Sequence, residues 1–327
     1  MALPYPQPIP DPIEPTRRGV LGPPASQPGR APVAVPPREV FDAFMRWTIG
    51  GERAALAPRL APADREAFLG YYSKLPDTSN EDAVRRFLRG LWNSDTGWVA
   101  RRIASLASFR AAGGEPVRVL DAGSGFGTFS MLYACMGAHV VAADLRDDRL
   151  RVARQRVALF AEHTGRRLEV DNVLSDVTQE MGPDFDVVWV YNAISHIDPV
   201  EPFLQGVARR LAPEGVLVIG DINGANPAHT QRLDALREEV HGSYTDDAGV
   251  VHRYAHERTF TPDQFRDILG GCGLDVIQLE LLYGGEGRLP APLLGCVRAT
   301  IRMSGAGQRL ARRQFVVARA RGKRLAA

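Results

Sequence analysis

From about residue 113 onward the sequence predicts an α/β domain built on a doubly wound, mostly parallel sheet. Short Val-, Ile- and Leu-rich runs recur there as VRVLDAG, AHVVAADL, RLEVDNV, FDVVWVYN and GVLVIGDI. Helical stretches separate them, and near-continuous apolar runs of this kind suit parallel strands buried on both faces. A glycine-rich turn follows the first run and leads into a helix, as expected where such a sheet binds a ligand.

The elements follow in order. Residues 1–38 hold 12 of the 24 prolines, whose fixed φ and missing N–H forbid helix and sheet pairing, so a disordered leader is expected there. Residues 39–112 read as a helical N-terminal cap. VFDAFMRW carries a broad apolar face, Pro62 opens the next helix, Asn80 with Ser79 marks a capped start, and Ser94 or Asp95 begins a fourth helix. These short helices bury too little alone and are expected to pack on the domain that follows. Beyond the fifth strand, a helix after Thr261-Pro262 and the runs LDVIQLELLY and QFVVARAR complete a domain spanning 113–327. Insertions near 223–260 and 284–311 are expected to cover a substrate site.

Composition excludes several classes. The net charge of +2 and the absence of a recognisable RNA-binding module speak against a nucleic-acid partner. Only two of the 40 basic residues are lysines, and the arginines are spread along the whole chain. Cys135, Cys272 and Cys296 form no paired motif, which indicates neither disulfide framework nor zinc site. The start MALPYPQPIPDP lacks a signal pattern, and no apolar run approaches the ~18–20 residues of a membrane span. A cytoplasmic location is expected.

The glycine loop is the most informative stretch. Gly123, Gly125 and Gly127 allow tight turning and close approach of a ligand to the following helix. The spacing is G-x-G-x-G; the third glycine of a dinucleotide fingerprint would fall at Thr128. Asp121, beside the loop, would repel a pyrophosphate but suits a ligand carrying an ammonium and a sulfonium. Asp144 closes the second strand 21 residues after Gly123, where an acceptor for ribose hydroxyls belongs. Asp176 stands after the third strand, placed for an exocyclic adenine amine. Read without a ligand, Asp144 is a helix cap and Asp176 a solvated loop acid.

Over about residues 115–283 the sequence resembles the class I S-adenosylmethionine-dependent methyltransferases, in the detailed manner of the ubiquinone/menaquinone type. The resemblance implies a Rossmann-like seven-stranded sheet whose last strand, QFVVARAR, is antiparallel. It implies that S-adenosylmethionine lies on the loop DAGSGFG (Asp121, Gly123, Gly125, Phe126, Gly127). Asp144 and Leu145 would meet the ribose, Asp176 and Val177 the adenine, and Asn192 the edge beyond the fourth strand.

Methyl transfer requires an aligned acceptor and, where that acceptor carries a proton, a base. His196, just beyond the fourth strand, is the candidate base; its alternative is to shape the loop. Tyr71, Tyr72 and Trp98 from the N-terminal helices, and His252 and His256 from the insertion, are candidate substrate residues. No metal is expected, because Asp221 is followed by Ile222 rather than by a second ligand; the absence of an NPPY-like motif after the fourth strand speaks against amino-group methylation of nucleobases. A small-molecule acceptor is expected. A nicotinamide-dependent oxidoreductase, a cofactor-binding protein without turnover and an RNA methyltransferase are the competing readings. In 289–313, Leu293, Val297 and Ile301 recur every four residues beside Arg298 and Arg302, and no acid follows Glu286. This segment either covers the sheet edge and pocket or lies against an anionic membrane.

Overall fold

The computed structural model describes residues 35–110, 114–175, 177, 184–229, 241–245, 249–255, 258–284, 291–303 and 307–323. The leader through residue 34, together with Asp176 and His256, lies outside them.

The N-terminal helices begin with α1 (Pro37–Arg46), which buries Val40, Phe41, Phe44 and Met45. It runs into a wider π turn at Trp47–Glu52, followed by the short α2 (Arg53–Leu56). The π turn was not legible in the periodicity, and it carries Glu52 into the interior. Next come α3 (Pro62–Tyr72), with proline in its first turn, and α4 (Glu81–Trp92). The Asn80 side chain accepts the N–H of Ala83 at 3.0 Å, the cap its sequence predicts. The longest helix of this segment, α5 (Asp95–Arg110), leads to the sheet.

The strands are β1 (Val117–Ala122), β2 (Ala138–Asp144), β3 (Val170–Leu174), β4 (Phe185–Tyr191) and β5 (Leu211–Ile222). A hairpin of β6 (His241–Thr245) and β7 (Val251–Ala255) stands apart, and β8 (Leu274–Leu282) and β9 (Arg313–Ala320) return to the main sheet. The order of the seven-stranded sheet is β3-β2-β1-β4-β5-β9-β8. Strands β1 to β5 are parallel, and β9 runs antiparallel to both neighbours, as the resemblance implied. Leu211 pairs with Phe185 and Val216 with Val187, so residues 212–215 loop out and absorb the Pro213–Gly215 turn. The helices between strands are α6 (Thr128–Cys135), α7 (Asp147–Thr164), α8 (Val200–Arg210) and α9 (Pro262–Gly271). Two more, α10 (Ala291–Met303) and α11 (Gly307–Leu310), precede β9. A reciprocal cap of Thr261 and Gln264 starts α9.

Side chains on β4 alternate between two apolar cores. Val187 and Trp189 face one that includes Phe44, Trp47, Phe68, Leu88, Met131 and Phe160; Val188 and Val190 face another with Phe203, Leu204, Phe265 and Leu269. The N-terminal helices thus share a core with α6 and α7, and Trp47 packs edge-on against Phe160 at 5.0 Å. Among the described residues, no helix is long and apolar enough to cross a membrane.

Candidate functional site

The carboxyl edge of the sheet opens where β1 ends. Gly123 has φ +74°, and a Cβ there would stand 2.5 Å from that of Ala193, so the loop after β1 packs directly on the loop after β4. Gly125 and Gly127 are also left-handed, and Gly127 leads into α6. The N–H groups of Gly123 and Ser124 donate to the Ala143 carbonyl at 2.8 and 3.0 Å. The loop is tied to β2 a second time through Asp144, whose carboxylate accepts from the N–H of Gly125 at 2.7 Å and of Arg146 at 2.9 Å.

Asp121 is 3% exposed and accepts a hydrogen bond from the Ser130 hydroxyl at 2.6 Å. Burial pushes its carboxyl up to about 7, the nearby Asp144 pushes the same way, and the Ser130 hydrogen bond opposes them. A cation placed beside Asp121 would restore the ionised form. The ammonium-bearing ligand inferred from the sequence has that property.

A cleft of about 720 Å³ lies over this loop. Asp121, Gly123, Gly125 and Phe126 form its floor, while Met45, Tyr71, Phe87 and Leu91 from the N-terminal helices form its roof. Tyr191 and Asn192 line it from the end of β4, and Arg146, Asp148 and Arg149 from the start of α7. A second chamber of about 300 Å³ shares Phe87, Leu91 and Tyr191 with the first and extends to Leu282, Arg312 and Arg313. Arg313 stacks on the Tyr191 ring at 4.5 Å, donates to the Asn192 side-chain oxygen at 2.6 Å, and stands 3.5 Å from Asp95. Asn192 itself is left-handed, with φ 50°. Burial pushes the Tyr191 hydroxyl up to about 12, against the lowering effect of Arg313.

The remaining sequence-derived residues fall in different places. Leu145 is half-buried beside Asp144, and Val177 packs against the second core. His196 is half-buried in the turn after β4, with its N–H on the Ala193 carbonyl at 2.9 Å and its ring close enough to Asp221 to influence that carboxyl. It is not among the residues lining the cleft. Tyr71 lines the cleft, but Tyr72 departs from its expected role: it is 2% exposed and its hydroxyl donates to the buried Glu52. Consecutive helical residues point about 100° apart, so only one of the pair can face the ligand. Trp98 also departs, packing toward Phe315 at 6.4 Å outside both chambers. His252 belongs to β7, and its side chain is not described.

Sequence reasoning missed Arg313, Asp95, Glu52 and Arg156. Asp95 was read only as a helix start, yet it is 1% exposed, and a Cβ on Gly220 would fall 2.0 Å from its carboxylate. No periodicity marks an isolated charge as buried. Among the described residues no group of three His, Cys, Asp or Glu could hold a metal.

Residues 120–217 match the family model described as a methyltransferase domain. The chain is 30% identical over 163 residues to a ubiquinone biosynthesis O-methyltransferase of Rhizobium rhizogenes, covering 50% of this chain and 62% of that one. It is 29% identical over 198 residues to the protein of the same name from Ruegeria pomeroyi, covering 60% and 70%. The chain thus matches less than two thirds of the length of some of these relatives. Among solved structures it is similar to magnesium protoporphyrin IX methyltransferase from Synechocystis PCC 6803 with bound SAH, at 15% identity and TM-score 0.45, covering 79% and 96%. Residues 120–217 thus match a methyltransferase domain, on a sheet of Rossmann-like methyltransferase order, and over about half its length the chain is distantly similar to the ubiquinone biosynthesis O-methyltransferases.

Proposed function

We propose that the protein transfers a methyl group from S-adenosylmethionine to a small-molecule acceptor without a metal. The observation that carries this reading is the arrangement of a buried Asp121 and a left-handed glycine loop beneath a cleft roofed by the N-terminal helices. The roof restricts the cleft to about 720 Å³, the scale of a small-molecule site. The bound cofactor supplies a methyl group on a positively charged sulfur. Asp121 holds the cationic end, Asp144 shapes the loop and keeps acceptor capacity for a ribose, and Asp176 and Val177 serve the adenine side.

The acceptor enters by the second chamber, between Phe87, Leu91 and Leu282, and reaches the cofactor past Tyr191 and Asn192. Apolar walls there exclude water and align the two reactants, which is most of what an in-line displacement needs. His196 lines neither chamber, so the part of base requires its ring to reach the acceptor past Asn192, with Asp221 beside it to support the imidazolium. On this reading His196→Ala lowers turnover by about 10²–10⁴-fold at unchanged cofactor affinity. A loss under about tenfold makes His196 a loop-shaping residue.

The reading is tested by melting curves and isotope transfer. S-adenosylhomocysteine raises the melting temperature while NADH does not, and labelled S-adenosylmethionine marks a small product in cell extract. A shift with NADH alone overturns it in favour of an oxidoreductase, and a shift with no labelled product leaves a binding protein.

Peripheral contact with an anionic membrane is part of the same proposal. Leu293 and Val297 on α10 are 55% and 42% exposed, leaving apolar surface open to a lipid face. Arg298 is only 14% exposed and stands 3.4 Å from Glu280, so it ties α10 to β8 and does not face lipid. Sedimentation with anionic but not neutral liposomes, weakened by salt and by Arg302→Glu, supports it. No sedimentation with either at low salt removes it.

A further inference from the structure

A buried charge network joins the N-terminal helices to the glycine loop. Glu52, in the π turn after α1, and Arg156, in α7, are both 0% exposed and meet through two hydrogen bonds, at 2.7 and 2.8 Å. The same guanidinium also donates to the carbonyl of Phe126 and, at 2.8 Å, to the hydroxyl of Thr128. Two tyrosines of α3 complete the web. Tyr72 donates to Glu52, and Tyr71 donates to the Thr128 hydroxyl at 2.9 Å. Phe126 and Thr128 are the closing residues of the glycine loop and the first of α6, and both line the cleft.

Such a network is costly to bury, and apolar residues of the same volume would serve the core as well. Its particular property is directional. Arg156 spends one side of its guanidinium on the loop and the other on a carboxylate belonging to a different part of the chain. With Glu52 withdrawn, Arg156 would be left as an uncompensated buried charge, and the Phe126 carbonyl and Thr128 would lose a fixed donor.

We propose that Glu52 and Arg156 are positioning residues that set the shape of the cofactor loop, so that cofactor affinity depends on the docking of the N-terminal helices. This rests on the cofactor reading above. Neither residue lines the cleft. The coupling is reciprocal: a ligand that fixes the loop also tightens the segment 37–72, and a molecule that engages the helices from the second chamber strengthens cofactor binding.

The test is calorimetric titration with S-adenosylhomocysteine, joined to hydrogen exchange of segment 37–72 with and without it. Glu52→Gln weakens binding by about tenfold or more, as loss of a hydrogen-bonded charge predicts. Thr128→Val keeps the Glu52–Arg156 pair but removes the acceptor for both Arg156 and Tyr71; it weakens binding in the same direction, and Thr128→Ser restores it. In the unaltered protein the ligand slows exchange in 37–72, and in Thr128→Val that protection is lost. Should Glu52→Gln not fold, the two Thr128 variants and the exchange data carry the decision. Failure of the unaltered protein to bind overturns the cofactor reading and this inference with it. Normal binding by the unaltered protein, with affinity in folded Glu52→Gln or Thr128→Val within about twofold of it or no protection of 37–72, overturns this inference alone.

Discussion

The two chambers that meet at Tyr191 are built in opposite ways. The side proposed for the cofactor is local: Asp121, Gly123, Gly125, Gly127 and Thr128 fall within eight consecutive positions, and Asp144 ends the next strand. The side proposed for the acceptor is gathered from the whole chain, with Phe87 and Leu91 from α4, Tyr191 from β4, Leu282 from β8 and Arg313 from β9. A cofactor held in common by many enzymes can be recognised by one strand–turn–helix unit. An acceptor particular to one enzyme is met by side chains whose proximity exists only after the sheet has closed.

The comparison breaks if substitutions on the local side behave like ordinary core changes. The largest effect is expected at Asp121. Asp121→Asn keeps an oxygen for Ser130 but removes the charge, and weakens S-adenosylhomocysteine binding by roughly 10²-fold, the upper end for a charged hydrogen bond. The same variant without ligand melts higher than the unaltered protein at pH 8, because it need not bury a carboxylate. The sign follows from the raised value. Asp121 titrates at about 7 in the fold against 3.8 as its ordinary value, so the empty fold holds an extra proton between them. This residue's contribution to stability therefore declines as pH rises from about 4 through about 7, while affinity for a cationic ligand grows over the upper part of that window. Calorimetry at pH 6 and 8 and thermal scans check both halves; a pH-independent affinity contradicts the placement of the ammonium.

A loss of similar or smaller size is expected for Asp144→Ala, about 1.5–3 kcal/mol in cofactor binding. Part of it reflects loosening of the loop, since Asp144 holds the N–H groups of Gly125 and Arg146. Unchanged affinity in a folded Asp144→Ala protein would remove Asp144 from the cofactor's surroundings.

The smallest effect on the cofactor is the one that sharpens the contrast. Leu91→Trp fills the junction with the second chamber and should leave S-adenosylhomocysteine affinity within about threefold, while turnover of whatever acceptor the labelling identifies falls by about tenfold or more, as overpacking of a closed site predicts. Equal losses in both would mean that the chambers are one site.

Much of the fold was legible because parallel strands buried on both faces must be apolar nearly throughout, as the inner strands β1, β2, β4 and β5 are, whereas the edge strands β3 and β8 are half-exposed and carry polar residues between apolar ones. The hairpin β6–β7 and helix α10 were anticipated only as insertions, since half-exposed elements carry a weaker pattern. The loop residues were legible because glycine at a left-handed turn and an acid at a strand end are local requirements. Tyr71 and Tyr72 were not separable in the sequence; the rotation of α3 against the sheet decides that the first faces the cleft and the second faces Glu52.

By itself, then, the sequence determined the order of strands and helices and the glycine loop, from which its ligand is proposed, because backbone geometry and burial act over a few residues at a time. Tertiary structure alone decided which charges are buried and with whom. Glu52 meets Arg156 across 104 positions, and Arg313 meets Asn192 across 121. An ion pair leaves no periodic trace in either partner's neighbourhood, and its cost and its direction are set by the core that closes around it.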